Sequence, residues 1–191
     1  MNLNLSEDDL RFIVTWTVAS VIGWSAALAL GGAVLALGLL LALVLPAWLT
    51  GLFLPLCGAV IGGVVGGLQW FALYGDDDSR RWIWASAAGG ALSGVPAGVL
   101  LLLVPSDVVI ARLALGAILA AGIAGAQVIG TAGRVWRMAV YWVLFNTVAG
   151  ALCALLGPAG ARAWLPVTCL IGTGLFGVIT GVGMLWLRRQ P

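Results

Sequence analysis

Long apolar stretches alternate with short polar breaks along the whole chain. The charges collect at Glu7–Arg11, Asp76–Arg81, Asp107–Arg112, Arg134–Arg137, Arg162 and Arg188–Arg189. Crossing the hydrocarbon core of a bilayer takes about 20 mostly apolar helical residues. Hydropathy places six such segments at 10–33, 52–74, 82–104, 108–131, 136–157 and 164–187, helices 1 to 6 of this reading. Pro46, Pro105 and Pro158 mark connections on one side; Gly75 with Asp76–Asp78, and Gly133 with Arg134, mark them on the other. In lipid each backbone group must be satisfied within its own segment, which favours continuous helices over strands. The expected fold is all-α: a polytopic helical bundle of six transmembrane helices, forming a single transmembrane domain over residues 1–191.

Residues 34–51 leave a choice open. Val34 to Leu45 stays apolar beyond the expected end of the first span. Either helix 1 runs on and tilts, or a short re-entrant piece forms. A separate span between Gly32 and Pro46 would have about 13 residues, short of the about 17 a crossing needs.

Small residues recur in register. Gly58, Gly62 and Gly66 precede Gln69; Gly116, Ala120 and Ala124 precede Gln127; Thr173, Gly177 and Gly181 precede Met184. Gly23, Ala27 and Gly31 in helix 1 have counterparts in Gly89, Ser93 and Ala97, and in Gly150, Ala154 and Pro158. Ala19-Ser20, Ala85-Ser86 and Asn146-Thr147 stand just before these sets. The pattern predicts three helical-hairpin repeats over about 10–74, 80–131 and 134–187. Positions four apart share one helix face. In lipid, burying leucine between helices gains little, whereas small residues let backbones approach. Gly58, Gly62, Gly66, Gly116, Ala120, Ala124, Thr173, Gly177 and Gly181 are therefore the expected helix-packing residues, a glycine-zipper arrangement. Helices 2, 4 and 6 are expected to pack through these faces, around a pseudo-threefold axis.

Composition narrows the function. Of 191 residues, 62% are hydrophobic and 8% charged, against roughly 25% charged in a soluble domain. The net charge of +2 is small and spread out, which argues against nucleic-acid binding. All nine basic residues are arginines: seven fall on the side that holds both chain ends, and Arg112 and Arg162 on the other. The positive-inside bias predicts both termini in the cytoplasm. The acidic N-terminus lacks a basic n-region and a small-residue cleavage site, so the first helix is expected to be a retained anchor. Ser6 followed by Glu7, Asp8 and Asp9 reads as a helix N-cap with acids in the first turn.

Candidate chemistry is sparse. Cys57, Cys153 and Cys169 sit in apolar stretches without metal-ligand spacing, and there is no histidine. No Asp, Glu, Arg, Lys or His lies deep in a span, where proton relays and ion-coupled carriers usually need one. No catalytic residue, metal site or cofactor is expected. Gln69, Gln127 and Asn146 form a possible polar interface, read as interhelical glue or as the rim of a ligand site; Met184 at the third glutamine position breaks a symmetric ring. Most of the ten tryptophans, Trp82 among them, read as an interfacial belt; Trp16, Trp24 and Trp142 lie deeper and are candidates to line a pocket or a partner surface.

GGVVGGLQWFAL over Gly62–Leu73, followed by Arg81-Trp82-Ile83-Trp84-Ala85-Ser86, resembles a family of uncharacterised multi-pass membrane proteins common in cyanobacteria and related bacteria. That family shows small-residue zippers ending in Gln-Trp, then a tryptophan-rich start to the next helix. A basic residue often follows its Gln-Trp helix, where Tyr74-Gly75-Asp76 stands here. The resemblance implies a multi-pass bundle in the cytoplasmic (inner) membrane of a bacterium and carries no activity. The expected function is that of a non-enzymatic membrane protein, an accessory or scaffold subunit. Its partners would be the lipid bilayer and other membrane proteins, or a second copy of itself. The alternative is a carrier or binding protein for a small apolar or lipid-like molecule.

Overall fold

The computed structural model describes residues 5–73, 80–104, 108–130, 136–156 and 165–188. Gly75 with the Asp76–Ser79 run, Pro105, Asp107, Gly133, Arg134, Pro158, Arg162, Trp164 and Arg189 lie outside the described residues, as do the side chains of Trp48, Trp136, Arg137, Cys169 and Arg188. The elements are α1 (Glu7–Leu41), α2 (Ala47–Gly51), α3 (Phe53–Ala72), α4 (Arg80–Leu103), α5 (Val109–Gly130), α6 (Trp136–Leu156) and α7 (Leu165–Arg188). Among the described residues there is no strand. Among the described residues five segments are long and apolar enough to cross a membrane: α1, Leu49–Ala72, Arg80–Leu101 of α4, Val109–Ile129 of α5 and Leu170–Leu187 of α7. The sixth long helix, α6, carries a shorter apolar stretch, Ala139–Leu155.

Helix α1 begins at a capping box. The Ser6 hydroxyl accepts from the Asp9 amide at 3.2 Å, and the Ser6 amide donates to the Asp9 carboxylate at 2.8 Å. Two otherwise unsatisfied amides are thereby paired at the end where carboxylates are favoured. The helix then continues for 35 residues, about 52 Å at 1.5 Å per residue. Of the two readings of Val34–Leu45, the structure takes the long helix. Nothing in that stretch stops it, because no proline occurs before Pro46 and the glycines Gly31, Gly32 and Gly38 are held against neighbours or left helical.

The six long helices close into a ring. Each packs on the next in chain order, α1 on α3, α3 on α4, α4 on α5, α5 on α6 and α6 on α7, and α7 packs back on α1. Phe12 near one end of the chain and Leu185 and Leu187 near the other share one core cluster, so both ends lie at the same end of the bundle. Side chains sort by helical face. On α1, Phe12, Trp16, Ser20, Gly23 and Ala27 are buried, while Leu10, Val14, Val18 and Ile22, spaced four apart, are exposed. An apolar outer face suits lipid as the surrounding solvent.

The small residues set the helix spacing. A methyl group on Gly58 would run into the Gly90 carbonyl, and one on Gly62 into the Ser86 carbonyl. The Gly116 position meets the Gly150 carbonyl in the same way, across α5 and α6. On α7, Gly177 lies against Thr17 and Gly181 against Trp16 of α1. Each small-residue stripe thus lies against a flanking helix, α3 on α4, α5 on α6 and α7 on α1. The expected mutual packing of the three stripes around one axis is not what forms. The reason is antiparallel adjacency: a short connection places the next helix alongside, and its own small residues (Ser86, Gly90, Gly150) complete the close approach.

This geometry separates glycines that touch from glycines that do not. Gly58→Ala is expected to destabilise the protein by about 1–3 kcal/mol through overpacking. Gly67→Ala, on the same helix with nothing within 4 Å, is expected to leave stability unchanged or raise it slightly. Reversible unfolding in mixed micelles compares the two.

Candidate functional site

Two features occupy the interior, one at each level of the bundle. Toward the chain ends lies a connected polar cluster. Gln69 on α3 and Gln127 on α5 are each 1% exposed. The Gln127 amide donates to Gln69 Oε1 at 3.1 Å and to the Ser86 hydroxyl at 2.8 Å. Trp82 Nε1 on α4 donates to Gln69 Oε1 at 3.3 Å, and Trp142 Nε1 on α6 donates to Gln127 Oε1 at 3.0 Å. Trp16 Nε1 on α1 donates to the Thr180 hydroxyl on α7 at 2.9 Å. The three indoles meet: Trp16 and Trp142 edge-on at 6.0 Å between ring centroids, Trp82 and Trp142 tilted at 5.8 Å.

Local backbone bonds hold the smaller polar groups. Ser86 donates to the Trp82 carbonyl, Asn146 to the Trp142 carbonyl and Thr180 to the Phe176 carbonyl, each four residues back. Such back-bonding is what hydroxyl and amide side chains do inside a helix when no water is present. It also aims the Ser86 oxygen at Gln127. Of the three possible interface residues, Gln69 and Gln127 therefore bond each other directly, and Asn146 bonds its own helix one turn from Trp142.

Two expectations change here. Trp82 is not part of an interfacial belt, being 6% exposed and bonded to Gln69. Its place just after Arg80 and Arg81 suggests an interfacial residue, but its ring turns inward and its indole N–H donates to Gln69 on α3. Met184 does take the third glutamine position, yet the polar pairing persists because Thr180, one turn earlier, accepts from Trp16. One signal for these partners is present in the chain: Trp16, Trp82 and Trp142 each stand four residues before a small polar residue, Ser20, Ser86 and Asn146.

Above this cluster is a cavity of about 450 Å³. Its walls come from the middle of α1 (Trp24, Leu28), the end of α4 (Leu100, Leu101) with Val104 just after it, the first half of α5 (Arg112, Leu115, Leu119), the end of α6 (Cys153, Ala154) and α7 (Thr173, Phe176). It lies in the half of the bundle away from the chain ends. Trp24 and Phe176, edge-to-face at 5.1 Å, join the wall to a core cluster with Ile61, Val65 and Ile123. Among the described residues the lining is almost wholly apolar, with Arg112 its one charged member. Pro96 lies inside α4, one turn before Leu100 and Leu101. Having no N–H, it leaves the Leu92 carbonyl without its helical donor.

No protein-family model, curated protein or solved structure matches the chain.

The helix-packing candidates border both features. Gly116 and Thr173 line the cavity, and Ala120 and Ala124 are buried in the core clusters beneath it. Sequence reasoning did not single out Trp24, Phe176 and Arg112 as sharing a wall, since three separate helices bring them together. Cys153, expected to be a small buried hydrophobe, is a half-buried part of the wall.

Within the polar cluster Gln127 has the most side-chain partners. Gln127→Leu removes bonds to Gln69, Ser86 and Trp142 and strands the Trp142 N–H, so a loss of about 1–3 kcal/mol is expected. Thr147→Val removes only a bond to the Val143 carbonyl of its own helix and should cost little. Unfolding measurements on the two variants in the same micelles test the difference.

Proposed function

We propose that this protein binds a small apolar or lipid-like molecule in the cavity between α1, α4, α5, α6 and α7, and that it acts by binding rather than by catalysis. The single observation that carries this reading is the cavity. Its volume of about 450 Å³ falls within the roughly 300–1,000 Å³ of small-molecule sites. An apolar lining favours an apolar occupant, since leaving such walls empty forfeits dispersion contacts. The polar cluster of Gln69, Gln127 and the three tryptophans closes the interior toward the chain ends. The site is thus a one-sided pocket, which suits holding a molecule better than conducting one.

Three further readings accompany it. The arginine bias favours both termini on the cytoplasmic side, which would make the pocket face outward. Fusions of a cytoplasm-dependent reporter at either end are expected to be active; an inactive fusion at one end would refute it. The hairpin repeat is supported by the parallel roles of Trp82–Gln69, Trp142–Gln127 and Trp16–Thr180. An accessory or scaffold role is supported by the overhang that follows α1, where Leu43 and Val44 are 82% and 77% exposed. A protein that elutes from native membranes with no companion chain and no second copy would speak against that role.

Cys153 supplies the direct test of the pocket. In a Cys57→Ala, Cys169→Ala background it is the remaining thiol. Saturating hexadecanol is expected to slow its alkylation by N-ethylmaleimide severalfold. Ala154→Phe, which fills the wall, should weaken hexadecanol binding about tenfold, or 1.4 kcal/mol. Unchanged alkylation together with unchanged affinity in Ala154→Phe would remove the proposal.

A further inference from the structure

Four tryptophans are buried among the described residues, Trp16, Trp24, Trp82 and Trp142. Each brings an indole N–H into the interior, and an indole nitrogen can only donate. Three of the four are answered within the chain: Trp16 by the Thr180 hydroxyl, Trp82 by Gln69 Oε1 and Trp142 by Gln127 Oε1. Each acceptor is an oxygen on an adjacent helix. Trp24 is the exception. It is 7% exposed, and its N–H has no hydrogen-bond partner. Of the four, it is also the one that lines the cavity.

Buried donors in native proteins are nearly always paired, and leaving one unmade costs the full desolvation of that group. The packing shows why the chain supplies no acceptor here. Trp24 lies edge-to-face with Phe176 and belongs to a core cluster with Ala27, Ile61, Val65 and Ile123. None of these carries a side-chain acceptor. Ser20, one turn back on α1, has a hydroxyl without a partner as well. A hydroxyl can give or accept, so it suits more than one kind of group. The indole is what narrows the choice to an acceptor.

We propose that the occupant of the cavity carries a neutral acceptor oxygen, the carbonyl of a ketone or an ester, which accepts from Trp24 Nε1 while the apolar remainder fills the volume toward Leu28 and Leu115. This rests on the reading of the cavity as a binding site and adds the chemistry of the polar end. A pure hydrocarbon would leave the N–H unanswered. An ionised acid would give up its hydration for one neutral donor, and burying a charge costs far more than one such bond returns. A carbonyl offers lone pairs and no proton, the complement of an indole. The nitrogen itself is buried, but the second side-chain torsion of tryptophan is broad, so a small turn of the ring presents it to an oxygen in the cavity.

Three probes of closely matched length differ in the polar group: methyl tetradecyl ketone, methyl pentadecanoate and hexadecane. Each is titrated into the full-length protein in detergent micelles by equilibrium binding, with affinities corrected for partition into micelles alone. One or both oxygenated probes are expected to bind about tenfold tighter than hexadecane, equivalent to about 1.4 kcal/mol. Which of the two is preferred identifies the carbonyl class. The indole N–H proton resonance of Trp24, assigned by its loss in Trp24→Phe, should move downfield with the preferred probe and stay in place with hexadecane. Trp24→Phe keeps an aromatic ring and removes the donor. It should abolish the preference while leaving hexadecane binding as in the native protein, which also shows that the variant is folded. Oxygenated probes binding no tighter than hexadecane, or a preference that survives Trp24→Phe, would overturn the assignment of the polar group and leave the apolar pocket standing. Failure of all three probes to bind would overturn the pocket itself.

Discussion

Backbone-to-backbone contact between helices is the constraint on which the rest of this bundle depends. Surrounded by lipid, the helices gain little from burying leucine against leucine, because the tails outside are equally apolar. What remains is the dispersion gained when two backbones come close, and that requires positions with no side chain in the way. Gly58 and Gly90, Gly62 and Ser86, and Gly116 and Gly150 are such positions. They draw α3 onto α4 and α5 onto α6, and Gly177 against Thr17 does the same for α7 and α1. Larger residues are then left to the two regions the close contacts do not fill, the lipid face and the interior of the ring.

The interior is not uniform, and its two halves follow different rules. Where the tryptophans stand, polar side chains enter as a set: two glutamines, a serine and two indoles bond one another. A lone glutamine there would be costly in a region without water, whereas a connected group satisfies itself and fixes the rotation of four helices at once. Where Trp24 and Phe176 stand, no comparable set exists, and the side chains leave open volume. A filled, hydrogen-bonded half beneath an unfilled one is the arrangement that makes a pocket with a floor.

Much of this was legible in the sequence, because membrane helices announce themselves by length, apolarity and the charges between them. The ends of α3, α4, α5, α6 and α7 lie close to where hydropathy put them. The far end of α1 was not legible, since neither charge nor proline interrupts Val34–Leu45 and an apolar run looks alike whether it is a helix or a loop in lipid. Gln69 and Gln127 were visible as matched polar positions. Their partners were not, because Trp82 beside two arginines looks interfacial until α3 is laid against α4, and Thr180 replaces the expected position by one helical turn. Arg112 read as a topology marker from its place in the chain. Only the cavity it shares with Trp24 and Phe176, residues from other helices, gives it a wall to belong to.

The length of α1 ties the bundle to the thickness of its surroundings. At about 52 Å along its axis, it exceeds a hydrocarbon layer of about 30 Å. Mismatch of this kind is relieved by leaning the helix or deforming the lipid around it, at a modest cost for each ångström. Because Gly31 sits against Ile61, and Gly38 against Phe53, α1 cannot lean without carrying α3 along. Membranes of different lipid composition would therefore present this protein with different preferred inclinations, and its distribution among them would follow.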